Sequence, residues 1–278
     1  MDGLLHTIIF DKEYLKMFRI TNSNILLISL NTDIPAMDIG EFTRIMEALA
    51  PPDLAEEWDD GKIGLVVEGV ENLDHICCAL DATIATVGKA VSEGADMLVV
   101  HHTPLWTPVT AFRGSIAALL RRAVASGMNI YVLHTNYDHA PGGVNDILAG
   151  LLDLKDARPL SLGVVGECRL GLQEIADRLC CPLRAWGSPR LPGMLAVVGG
   201  SGFSPDLIAE AAEESADSLL SAELRHSVAR GSPIPLVEAT HYALEAPAMK
   251  ALAQKMGWAY IEDPPLLHTW IPKSSGAC

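Results

Sequence analysis

The stretch ICCALDATIATVGKAVSEGADMLVVHH, residues 76–102, decides the fold. An apolar run, Ile76–Leu80, leads into a helical segment from about Thr83 to Glu93 that Gly94 ends, and a second apolar run, Met97–Val100, follows. Buried strand, amphipathic helix and buried strand in succession are the signature of an α/β protein. The same alternation extends outward. Upstream, Asp38 caps a helix carrying Phe42, Ile45, Met46 and Leu49 on one face, Pro51-Pro52 stops it, and strand Ile63–Val67 follows. Downstream come a helix over Ser115–Ser126 ended by Gly127, strand Ile130–Leu133 and a helix near Val144–Leu151. A second series comprises Ala196–Val198, helix Ser204–Glu214, strands Ser218–Ser221 and Pro235–Ala239, a helix from about Glu245 to Met256, and Ala259–Ile261.

The two series resemble each other. EGADMLVVHH at 93–102 lines up with ESADSLLSAE at 214–223, and LHTNYDHAP at 133–141 with ATHYALEAP at 239–247. The expected architecture is therefore α/β with two similar halves, an internal duplication, and a site in the cleft between them. The halves are read as residues 38–155 and 191–264. Between them lies a connecting segment, 156–190, with a helix over Leu172–Leu179 and a strand over Pro182–Trp186. Residues 265–278 are a tail, and residues 1–37 an N-terminal extension, an extra edge strand, or a start-site artefact with the true start at Met37.

Bulk properties narrow the function. Across 278 residues, 20 Lys and Arg face 35 Asp and Glu, a net charge of −15. Such a surface repels a phosphate backbone and an anionic membrane, so neither nucleic acid nor membrane is expected as a partner. An anionic substrate needs local help from metal ions, helix N-termini or clustered arginines. The cysteines, Cys77-Cys78, Cys168, Cys180-Cys181 and Cys278, form neither a disulfide framework nor a thiolate zinc site, which fits a reducing cytoplasm. Asp2, Asp11 and Glu13 stand where a signal peptide would carry positive charge.

The chemistry lies in three separated stretches, VVHHTPLW, LHTNYDHAPGG and THYALE. Each puts His or a carboxylate just after an apolar run, as a dispersed divalent-metal site requires and a zinc finger does not. His101 and His102 are neighbours on a strand end, so the natural arrangement gives one imidazole to each of two metals. Asp138 is a ligand candidate in the loop after His134. His134 itself is either a further ligand or a residue that orients Asp138. His241 and Glu245 are four apart at a strand-to-helix junction. Pro247, tolerated in a first turn, puts Glu245 near the helix start, where its carboxylate either favours the helix dipole or bridges two cations. Such N and O ligands suit Zn, Fe, Mn, Co or Ni. Glu223, with Arg225 and His226, aligns with the paired histidines and either lines the cleft or is solvated surface. GGSG at 199–202 is an anion cradle or a simple turn. Asp81 reads as a helix cap, Asp59 and Asp60 either as reaching the site or, the safer reading, as a polar loop, and His139 as solvent-facing.

The segments AEEWDDGKIGLVVEG, LDATIATVGKAVSEGADMLVVHHTPLW, HTNYDHAPGGVNDILA and HYALEAPAMKALA, in this order, resemble the GTP cyclohydrolase I type 2 homologue family, also called NGG-interacting factor three-like. The similarity runs from about Asp38 to Pro264; the family's W-D-N is replaced here by Trp58-Asp59-Asp60. The resemblance implies a dinuclear centre on His101, His102, Asp138, His241 and Glu245, with Glu245 bridging. It also implies a toroidal homohexamer with the sites facing inward, and hydrolysis of a nucleotide-like substrate through metal-activated water. Glu223, His226 and His134 are the candidates for acid or base. A metal carrier or regulatory partner without turnover is the alternative.

Overall fold

A computed structural model describes residues 37–270 and two earlier strands, β1 (Phe18–Thr21) and β2 (Asn24–Leu27), which pair with each other antiparallel. The other expectations for residues 1–36, including the start-site artefact, lie outside the described residues. The chain then runs through β3 (Met37–Asp38), α1 (Ile39–Leu49), β4 (Gly64–Val67), β5 (Asn72–Leu73), β6 (Ile76–Asp81), α2 (Ile84–Ser92), β7 (Met97–His102) and α3 (Gly114–Ser126). There follow β8 (Asn129–Val132), α4 (Thr135–His139), α5 (Val144–Leu151), β9 (Lys155–Pro159), β10 (Val164–Cys168), α6 (Leu172–Leu179), β11 (Arg184–Trp186) and β12 (Gly193–Val197). The remainder is α7 (Pro205–Glu213), β13 (Ser218–Ser221), α8 (His226–Gly231), β14 (Leu236–Glu238), α9 (His241–Met256) and β15 (Ala259–Tyr260).

These elements build two sheets. One has the order β15-β6-β7-β8-β4, parallel except for β4; the other is β11-β14-β13-β12-β10-β9, with β12, β13 and β14 parallel. Alternation along each strand feeds two layers. Met97 and Val99 point into a core that also holds Leu195, Val197, Leu220 and Val237 of the second sheet. Leu98 and Val100 point the other way, under α2 and α3, as Ala196 and Leu219 do under α7. Helices α5 and α9 pack on each other between the sheets; α9 lies against β6, and α5 against β10 and β12.

Residues read as a connector belong to the second sheet, which takes β10, β11 and most of β9 from 156–190. The last strand, β15, crosses back to pair with β6. The two sheet-and-helix regions are thus interlocked rather than consecutive. They share a local device at the matched positions. Asp96 Oδ2 accepts from the Asp74 and His75 amides, each at 2.9 Å, and Asp217 Oδ2 accepts from the Met194 amide at 2.9 Å.

Helix starts differ from expectation in two places. Thr83, not Asp81, caps α2: its hydroxyl accepts from the Thr86 amide, and the Thr86 hydroxyl accepts from the Thr83 amide. Helix α9 begins at His241, with Thr240 as its cap, so Pro247 lies inside it rather than in its first turn. The cap and the burial of Leu244 and Met249 outweigh the hydrogen bond that proline cannot donate.

Asn129 is fully buried where the first sheet begins. Its amide donates to the Val70 and Asp96 carbonyls at 2.9 and 3.0 Å, and its oxygen accepts from the Gly69 amide at 2.7 Å. Asn129→Leu strands the Gly69 amide and the Val70 carbonyl, while the Asp96 carbonyl keeps the backbone amide of residue 129, and is expected to cost at least about 2 kcal/mol in denaturant unfolding. A change within about 0.5 kcal/mol would show that water replaces the side chain.

Candidate metal centre

The strand ends β6, β7 and β8 and the first turns of α4 and α9 bring the three sequence stretches together. Three groups of ligand atoms each lie within 4.8 Å of one another: His101, Asp138 and Glu245; His102, His241 and Glu245; and His101, His102 and His134. Glu245 belongs to two of them. Its Oε1 is 3.7 Å from His101 Nε2, while its Oε2 is 3.0 Å from His102 Nε2 and 2.9 Å from His241 Nε2. Asp138 Oδ1 is 3.6 Å from His101 Nε2.

Every imidazole is held by its other nitrogen. His101 Nδ1 donates to the Leu133 carbonyl at 2.6 Å, and His102 Nδ1 to Asp81 at 2.7 Å. His241 Nδ1 donates to Glu223 and His134 Nδ1 to Asp59, both at 2.7 Å. A proton fixed on Nδ1 makes Nε2 the nitrogen turned into the cleft, and the loss of any second proton there leaves the tautomer a metal ligand needs. The result is a set of buried polar atoms without a well-directed hydrogen bond: His101 Nε2 and Asp138 Oδ1, and also His241 Nε2 and Glu245 Oε2, which meet each other only as an ion pair. Leaving such groups unpaired costs about 1–3 kcal/mol each. Their separations suit a shared cation, because ligands about 2.0–2.1 Å from an ion in tetrahedral array lie about 3.3 Å apart. The donor set therefore fits divalent metal.

Charge is arranged to match. Burial lowers the His101 imidazole from its ordinary value against the pull of Glu245. Burial also opposes the charge on Glu245, but His101, His102 and His241 hold its carboxyl well below the usual range. Asp138 is pushed well above that range by burial and by the Glu245 charge. Burial works against the His102 imidazolium too, yet Asp81 and Glu245 carry it up to about 10; His241 is raised in the same way by Glu245 and Glu223. Protons thus stand on groups that a cation would neutralise instead.

Several residues read as bystanders hold the site. Asp81 pairs with His102 across the β6–β7 register, and its distance from Ile84 was the available sign that it is too early to cap α2. Asp59 is fully buried and accepts from His134, the Thr135 amide at 3.2 Å and the Thr135 hydroxyl, contacts that outweigh burial and lower its pKa. His134 therefore bonds to Asp59 and not to Asp138. Glu223 takes a left-handed backbone at φ 63° to reach His241. His139, expected in solvent, is half-buried against Glu56 at 3.1 Å.

Asn145, which no sequence signal singled out, bridges the Asp138 carbonyl at 3.0 Å and the Gly199 amide at 2.9 Å. The GGSG turn lies against the carboxylate: Gly200 has φ +63°, and a methyl there would collide with Glu245 Oε1 and sit 3.2 Å from His241 Nε2. The turn's glycines make room for Glu245, where an anion cradle was one expectation. His226 is exposed at the start of α8 and belongs to none of the three ligand groups found among the described residues.

A GTP cyclohydrolase 1 type 2 homolog of Streptomyces coelicolor is 34% identical over 264 residues, covering 84% of this chain and 88% of that one. One from Pyrococcus horikoshii is 33% identical over 213 residues, covering 70% and 84%. Among solved structures, reduced HcgD from Methanocaldococcus jannaschii superposes with a TM-score of 0.71 at 30% identity, over 82% of this chain and 98% of its own. The Duf34/NIF3 (NGG1p interacting factor 3) model spans residues 37–263, which include every residue of the three clusters, and the chain belongs to that family.

Proposed function

We propose that the protein binds two divalent metal ions and is a metal-dependent hydrolase of a nucleotide-like substrate. His101, Asp138 and Glu245 would hold one ion and His102, His241 and Glu245 the other, with Glu245 bridging. The observation that carries this reading is the convergence of buried nitrogen and oxygen atoms, none with a well-directed hydrogen bond, on two groups that share Glu245. Bound ions of this kind lower the pKa of water and polarise a carbonyl or phosphoryl oxygen.

The chain's own residues supply the rest. The Leu133 carbonyl, Asp81 and Glu223 keep three imidazoles aimed into the cleft, so Glu223 is a positioning residue here. His134, held by Asp59, presents Nε2 beside His101 and His102, placed to hold or pass a proton at the leaving atom of a substrate. His226 is assigned no part. The matched Asp96 and Asp217 bonds support a duplicated unit with the site at its seam. Family membership supports a cytoplasmic homohexameric toroid with inward-facing sites. No helix among the described residues is long and apolar enough to cross a membrane. A metal carrier is the second reading, favoured by the depth of the ligands: His101 is 0% and Glu245 3% exposed.

Metal analysis joined to a hydrolysis screen over nucleotides and phosphoesters tests this. Glu245→Ala and Gly200→Ala are expected to lose bound metal while remaining folded. Asp81→Ala is expected to weaken metal affinity about 10–100-fold. Asp59→Asn should retain metal and lose turnover. Full metal content in Glu245→Ala would sink the site assignment, and metal without any turnover in the wild type would leave the carrier.

Metal binding must also displace protons from Asp138, His102 and His241, whose values are raised in the metal-free protein. Affinity should therefore rise with pH through the neutral range until the His102 proton is gone near 10. Calorimetric titration in buffers of different ionisation enthalpy would show net proton release at neutral pH; a buffer-independent enthalpy would refute it.

A further inference from the structure

Two indoles stand at the entrance of the metal centre and are used by nothing described so far. Trp58 lies on the turn before β4, and Trp106 on the segment between β7 and α3. Both rings meet the His134 ring nearly at right angles, with centroids 5.3 and 5.1 Å away, and Trp106 is also 6.2 Å from His102. Both remain open, 53% and 43% exposed, although an indole is among the most favourable side chains to bury. Each sits beside a residue that is itself hydrogen-bonded. Asp59, next to Trp58, is buried on His134 and Thr135, and the Leu105 amide, next to Trp106, bonds to the Thr103 hydroxyl at 3.1 Å. Beside Trp58 stands a cation: Lys62 Nζ is 5.6 Å from the ring centroid and donates to the Trp58 carbonyl. In a chain of net charge −15, that charge is locally unusual.

We infer that Trp58 and Trp106 form the platform on which a planar heteroaromatic ring of the substrate stacks, with Lys62 meeting an anionic arm of the same molecule. A ring resting there lies directly above His134 and His102, so its substituents reach the ligand cluster. Stacking on an indole reads flatness and not a hydrogen-bonding edge, so the class is a nucleoside or related heterocycle bearing phosphate, with no single base selected. The inference rests on the metal-site reading only for what lies beneath the ring.

The test is titration of the full chain with guanosine, followed by tryptophan emission. Guanosine has the ring and no phosphate to draw it to metal. Saturable quenching is expected in the wild type. Trp58→Leu and Trp106→Leu should each weaken binding about tenfold or more, and Phe at either position should retain most of it. Ribose 5-phosphate, which lacks the ring, should bind the wild type and both Leu variants alike. GTP should bind more tightly than guanosine, and Lys62→Ala should reduce that difference without changing guanosine binding. All variants should carry wild-type metal. The inference falls if guanosine does not quench the wild type or if the Leu variants bind it normally. It falls also if those variants change only the sedimentation of the protein, which would make the indoles subunit contacts. Guanosine binding without turnover of any nucleotide would defeat the hydrolase reading and leave the platform standing.

Discussion

Fixing the Nδ1 proton of each cleft imidazole is the constraint on which the site depends. A histidine free to flip would offer either nitrogen to Glu245, and its ring would take no fixed direction in the cleft. Instead, four different acceptors hold four rings: a main-chain carbonyl for His101 and the carboxylates of Asp81, Glu223 and Asp59 for the others. Each acceptor sits on a different element, so the cleft requires both sheets to be in register. Asn145 and the GGSG turn then set how closely the second sheet approaches Asp138 and Glu245.

What the sequence made legible follows the strength of its local signals. Helix α1, strands β6 and β7, and helix α3 with its left-handed Gly127 declare themselves through periodicity, caps and breakers. The clustering of His101, His102, Asp138, His241 and Glu245 was likewise visible, because each follows an apolar run. Strand β9 was invisible for a physical reason: its five residues are all exposed, so it has no alternation to show. Strand β10 is broken in pattern by Gly166, at a register shift where a side chain would press on the Lys155 carbonyl 2.9 Å away. Asp81 was misread, and Asp59 was left between loop and site, because a buried carboxylate and a loop carboxylate look the same until the distant histidine is brought to them.

The position of α9 joins fold to site. Its first turns carry His241 and Glu245, its body fills the space between the sheets beside α5, and its end delivers β15 to the edge of the first sheet. The Glu245 carboxylate is therefore anchored by the central core and cannot shift without disturbing both sheets.

That return of β15 also bears on biosynthesis. Ala259 pairs with Cys77, so β6 remains an apolar edge until almost the whole described chain has been made. Helix α9, which covers β6, arrives equally late. A long-range closure of this kind is slow, and an exposed strand edge is prone to pair with other chains while it waits. The first sheet therefore stays incomplete through most of translation, and the cluster of histidines and carboxylates cannot assemble before α9 has been made.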